Sequence, residues 1–289
     1  MAKYQIIEPA FSSRDTANYK LSILPGMDSL VYVVYNNQFE LLLLDRLSVV
    51  GDADGKPDYR TALAGEKLLH HPYAQVRVAL PHPVHTLVPE RLFAGDEQDL
   101  VPYVRNLTVV PVGTELSTDR LPSINATMVY GFDFATSAQF LQTFANAQFY
   151  HLGTALFHAT AQLQQDAKGH RTFLYVHDNW LHTLVYRNHE LLFYNTFEHA
   201  DGKDFVYYAM LAYHQFELDP EHVPCVVGGD LTAQSELYKL LYRYVRHLSF
   251  APAPLKLRTS EAGRKLLPPP GQLLALYGLH YCQFGRVLQ

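Results

Sequence analysis

The sequence predicts an α/β protein of two similar domains, each a mixed sheet opened by a three-stranded antiparallel meander with helices packed on it. Three observations predict it. The order strand, break, strand, tight turn over Leu21–Asn37 returns over Phe173–Asn188. After each occurrence, helical apolar spacing alternates with short apolar strands. The chain has 289 residues, 48% hydrophobic and 18% charged, which supplies core for two domains and does not fit a disordered chain.

Along the chain, residues 1–18 read as a polar, unpatterned extension, followed by a first domain over 19–165 and a second over 166–289. Tyr19–Leu24, Leu30–Tyr35 and Phe39–Val49 are strand-like, and Asn36-Asn37 suits a tight turn because Asn tolerates positive φ. These runs are apolar on both faces, so their sheet is expected to be covered on both sides. A helix follows at Tyr59–His70, then strands near Gln75–Leu80 and Val84–Val88, and a helix at Glu97–Arg105. Strands around Thr114–Leu116 and Ile124–Gly131 precede a helix marked by Phe134, Ala138, Leu141 and Phe144. Another helix runs over Gly153–Gln165, and Gln164–His170 is the candidate boundary.

Beyond it, Phe173–His177, Leu181–Tyr186 and Glu190–Phe197 rebuild the meander. Without gaps, Leu30/Leu181, Val34/Val185, Tyr35/Tyr186, Asn37/Asn188 and Leu41/Leu192 are identical pairs, the mark of an internal duplication. Phe205, Ala209, Ala212 and Phe216 mark a helix, and Val223–Val227 a buried strand ending in Gly228-Gly229-Asp230. Leu237, Leu240, Leu241 and Tyr244 mark a further helix, and the triple proline 268–270 stiffens the approach to a last one near Gln272–Cys282.

A duplicated meander with a late strand–Gly-Gly–helix resembles the actin-like ATPase (ribonuclease H-like) superfamily. More closely, Leu21–Leu47 and Tyr194–Val245 are similar to a bacterial family of unknown function with that fold, itself distantly similar to pilus-assembly actin homologues. The resemblance implies two phosphate loops and an adenosine-side glycine pair. The first loop corresponds to Leu24-Pro25-Gly26, which keeps the glycine and lacks the acid. The second corresponds to Tyr175-Val176-His177, with Asp178 beside it, and the glycine pair to Gly228-Gly229. Such acids position Mg²⁺ and such glycines admit phosphates to backbone N–H groups. Losing two charge-assisted contacts of about 1.5–3 kcal/mol each weakens binding by roughly two to four orders of magnitude. The expectation is therefore a degenerate ATPase acting as a scaffold or binding module, with no cofactor. The alternative is a Mg-ATP-dependent phosphotransferase or ATPase using Asp28, Asp178 and Asp230. Gly228-Gly229 also has an ordinary use, a close helix–strand approach.

Other chemistries leave little trace. Net charge −5 carries no nucleic-acid signature for the whole chain, and the longest aliphatic run is far short of the ~20 residues of a membrane span. Two cysteines and an N-terminus without a long apolar run point to the cytoplasm. Gly51–Asp58 lacks the later ligands of a calcium loop, no Gly-x-Ser-x-Gly elbow occurs, and Tyr19–Leu24 lacks a nuclease's carboxylates. The fifteen histidines, His70-His71 and His82 with His85 included, read as scattered surface residues. Between Lys239 and Lys265, seven bases (Lys239, Arg243, Arg246, Lys256, Arg258, Arg264 and Lys265) face one acid, while Glu198–Glu221 holds six acids and one lysine. Solvated helix faces explain both; the functional alternative is docking of an acidic protein or RNA on the basic segment. The expected partner is another protein.

Overall fold

A computed structural model of the protein describes residues 4–94, 100–254 and 256–283. In place of an unpatterned extension, β1 (Gln5–Ile7) pairs antiparallel with residues 43–45, and buried Ile6 joins the core. The first meander is β2 (Lys20–Pro25), β3 (Ser29–Tyr35) and β4 (Leu41–Ser48). Their residues are almost all buried, as strands apolar on both faces must be when helices cover the sheet. After α1 (Tyr59–Gly65) comes β5 (Gln75–Leu80), parallel to β2. A separate antiparallel sheet, ordered β6-β8-β7, is then inserted: β6 (His85–Pro89), α2 (Val101–Val104), β7 (Thr114–Leu121) and β8 (Ala126–Asp133). Helix α2 is the described remnant of the helix expected over 97–105, whose residues 97–99 lie outside the described residues. The chain returns through α3 (Phe134–Thr143) to β9 (Ala147–His151), parallel to β5, and α4 (Leu152–Leu163).

The second meander is β10 (His170–His177), β11 (Trp180–Arg187) and β12 (Glu190–Glu198). It is followed by α5 (Gly202–Gln215), β13 (Cys225–Gly229), α6 (Glu236–Leu241), β14 (Leu248–Phe250), α7 (Glu261–Leu266) and α8 (Leu274–Tyr281). Caps fix the starts of helices: Asp133, Asp201 and Ser235 each accept backbone N–H groups of the following turn, a contribution of about 1 kcal/mol apiece.

The large sheets run β1-β4-β3-β2-β5-β9 and β12-β11-β10-β13-β14. Set β1 aside and the two orders are the same, a meander continued by two parallel strands. The registers agree as well. Each middle strand slips against its outer neighbour at one point, Val34/Tyr35 in the first and Val185/Tyr186 in the second. These are the identical pairs of the sequence alignment, so both copies keep the same β-bulge.

The last helix does not stay with the second sheet. Helix α8 lies against α4, β2 and β5, and a Cβ on Gly278 would overlap the carbonyl of Ala155. Buried Arg77 of β5 donates to the carbonyls of Leu279 (3.1 Å) and His280 (2.9 Å), satisfying the C-terminal end of α8. The large core thus takes Leu273–Leu279 and Cys282 together with the first sheet and one face of the second (Phe173, Tyr175, Leu184, Tyr186 and Val226), while a second core gathers α5, α6 and the opposite face of that sheet.

Candidate functional site

Two strand-ending turns face each other where the sheets meet. The first, Gly26–Asp28, joins β2 to β3: the Gly26 N–H donates to Ser29 O (2.7 Å), and Gly26 O accepts from the Tyr59 hydroxyl (3.0 Å). The second is Asp178-Asn179, with Asp178 in the left-handed region at φ 52°. Strand β10 runs through His177 as β2 runs through Pro25, so Tyr175–His177 is strand and Asp178-Asn179 makes the turn to β11. The two turns bind each other directly. The Met27 N–H donates to Asp178 Oδ2 (3.0 Å), and His177 Nε2 donates to Pro25 O (2.8 Å). The Asp178 N–H donates to Asp230 Oδ2 (2.9 Å), and the Asp230 N–H to Val176 O (2.8 Å).

Burial raises the Asp178 carboxyl above the usual carboxylate range, with Asp230 and Asp28 adding to it; His177 and the Met27 N–H pull the other way. About 30 Å³ of cavity is left between the turns, with Gly26, Arg46, Tyr175, Asp178 and Asp230 on its walls. That is room for about one water molecule. Past Asp230 it opens into a cleft of about 700 Å³ walled by Tyr4, Thr232, Gln234, Phe250, Pro268 and Gln272. Burial pushes the Tyr4 phenol up to about 12.

The glycine pair is used by the protein's own backbone. A Cβ on Gly228 would stand 2.7 Å from Gly271 O. Gly229 has φ 77°, and a Cβ there would overlap Val176 O. Of the residues singled out in the sequence, Gly26, Asp178 and Asp230 come together and Gly228-Gly229 stands behind them. Asp28 is exposed, with its carboxylate 3.9 Å from Arg46. The basic residues do not share one element. Lys239 is on α6, Arg243 and Arg246 follow it, while Arg258 pairs with the Phe39–Leu41 turn beside the first sheet; all, with Lys256, are exposed. Tyr4, Met27, Arg46 and Gln272 were not found by sequence reasoning, because none belongs to a motif; His177 was placed in the second loop, without its bond to Pro25 O.

The histidines are not all superficial. His151, His177, His182 and His199 are buried, and burial holds the rings of His151 and His182 far below their usual pKa. His151 accepts from the Gly153 N–H and donates to His82 O, so it is a neutral capping residue. Among the described residues, no group of three or more His, Cys, Asp or Glu side chains is placed to hold a metal ion. No helix among them is long and apolar enough to cross a membrane.

A family model described as a protein of unknown function, DUF3822, matches residues 8–248. The chain belongs to that family. Among solved structures it is similar to a Bacteroides thetaiotaomicron protein with an actin-like ATPase fold and unknown function: TM-score 0.76, 17% identity, covering 94% of this chain and 99% of that one. It is also similar to a chain of the PilM–PilN type IV pilus biogenesis complex, with TM-score 0.62, 16% identity and coverage of 90% and 97%. The ethanolamine utilization protein EutJ of Carboxydothermus hydrogenoformans follows at TM-score 0.52, 12% identity and coverage of 96% and 93%. Among curated proteins none matches by sequence. At these identities the likeness shows the fold, and the fold is actin-like.

Proposed function

We propose that this protein is a cytoplasmic binding module for another protein, built on an actin-like frame that no longer turns over ATP. One observation carries the reading: the Asp178 carboxylate accepts the Met27 N–H, the kind of backbone donor a phosphate would otherwise take. The residues present do not fit Mg-ATP between the turns. The space between the turns, about 30 Å³, holds no triphosphate, and the adjoining cleft of about 700 Å³, though within the roughly 300–1,000 Å³ of ligand sites, lies beyond Asp230 and away from the Met27 N–H. Opening the space breaks the contacts from Met27 and His177, and at about 1–3 kcal/mol each this weakens a nucleotide by roughly 30- to 20,000-fold. The likeness to a chain of a PilM–PilN complex supports a protein as the partner class.

Titrating the protein with Mg-ATP by calorimetry is expected to give no binding heat, with no shift in melting temperature. Saturable binding in the low micromolar range would overturn the reading. A second reading has its own observation, the convergence of Asp178 and Asp230 on one small cavity with Asp28 close by. It makes the protein an ATPase or phosphotransferase with rearranged acids. Steady phosphate release that Asp178→Asn abolishes would select it.

A further inference from the structure

The inserted sheet ends on an open edge. Among the described residues β6 is bonded only to β8, and β12 only to β11. The Gly131 N–H donates to Val84 O, which turns the backbone groups of residues 84, 86 and 88 toward β8. By alternation the N–H and C=O of His85 and Leu87 point away from the sheet. Pro83 and Pro89 bracket these two rungs and carry no N–H of their own. On the facing strand the edge is already blunted, since Asn195 Oδ1 accepts the Thr196 N–H.

Between the two edges lies a groove of about 310 Å³, with Leu87 and His85 on one wall, Tyr194 and Asn195 on the other, and Leu107 and Thr108 across the end. Among the described residues no carboxylate, lysine or arginine lines it. The Nδ1–H of His85 donates to Pro83 O, its ring packs against those of His151 and Tyr194, and burial lowers its pKa to about 4, so it is neutral at physiological pH. Leu107, Val109 and Val112 at and beyond the rim are exposed. An edge strand with free backbone groups recognises another strand, and an uncharged groove recognises an uncharged one, because a charge desolvated there would find no counter-charge.

Resting on the reading of the protein as a binding module, we infer that β6 is a docking edge for an extended, uncharged segment of a partner protein, which adds to the small sheet as a fourth strand and packs its side chains against Tyr194 and Leu107. The rungs of His85 and Leu87 supply register, and the apolar rim meets the flanks of the segment.

A displayed library of ten-residue peptides panned on the full chain tests this. It should enrich segments with alternating apolar residues and no central charge, whose affinity is read by fluorescence anisotropy. Leu87→Pro removes the outward N–H without touching a bond to β8. It is expected to weaken the enriched peptides about tenfold or more, while Leu87→Ala, which keeps the N–H, weakens them less. If Leu87→Pro fails to fold, Thr108→Lys puts a charge into the groove and is expected to give a similar loss. Failure to enrich any peptide, or binding by both Leu87→Pro and Thr108→Lys as tight as that of the wild type, overturns the proposal. So does a dimer in sedimentation that Leu87→Pro dissolves, because the edge then pairs with a second copy. Mg-ATP binding, by contrast, would remove the preceding reading and leave this readout unmoved.

Discussion

The two turns that close the meanders descend from one pattern and now do opposite things. The first, at Gly26–Asp28, offers a backbone donor; the second, at Asp178-Asn179, offers the carboxylate that takes it. Their scaffolds have stayed the same down to one slipped pair of residues, Val34/Tyr35 and Val185/Tyr186. The difference teaches that duplication let one half become the resident ligand of the other. The frame, held by many buried side chains, keeps its register in both halves, while the site, held by a few turn residues, differs between them.

The largest expected effect separates backbone need from side-chain need. Gly229→Ala drives a methyl into Val176 O at a positive φ and should cost more than about 4 kcal/mol or prevent folding. Gly26→Ala meets Asp178 Oδ1 and Ser29 O at 3.3 Å and should cost about 1 kcal/mol, as read by urea denaturation. Equal losses would break the comparison.

Next comes the inserted sheet, which the second half lacks. From it, Asp119 on β7 accepts the N–H of His151 at the end of β9, and burial pushes its carboxyl up to about 7. A carboxyl raised in the folded state favours folding when protonated. That contribution is complete below about pH 4 and is lost as pH rises through about 7. Asp119→Asn should remove this slope, gaining as much as about 4 kcal/mol on the wild type between pH 4 and pH 8. A parallel pair of stability–pH curves would count against it.

Smaller still, Asp178→Ala deletes the resident acceptor. It should cost about 2 kcal/mol and speed deuterium exchange at the Met27 amide, whereas unchanged protection would show the turns to be held by something else. The finest test uses the duplicated tyrosines. The Tyr186 hydroxyl bonds Thr160 at 2.8 Å, while the buried Tyr35 hydroxyl has no partner among the described residues. Tyr186→Phe should cost about 1 kcal/mol, and Tyr35→Phe should be neutral or slightly stabilising.

Much of the frame was legible because it repeats. Period, Asn-bearing turns and the five identities locate both meanders, and Gly228-Gly229 marks the end of β13. Three-residue β1 and β14 were not legible, since Gln5–Ile7 and Leu248–Phe250 are too short to show a period. Nor was the return of α8 to the first sheet, which depends on Arg77 reaching carbonyls about two hundred positions away. At the site, the gathering of Gly26, Asp178 and Asp230 follows from the frame. The bond from Met27 to Asp178 spans 151 residues and has no local signature. The buried histidines were misjudged for a related reason: composition counts them, and only packing says which are enclosed.

The chain contains a single tryptophan, and Trp180 begins β11 directly opposite His177, two residues from Asp178. Half-buried at that turn, its indole is a natural fluorophore for the contact between the two halves. Any ligand or substitution that parts them should register as a change in intrinsic emission, without a label.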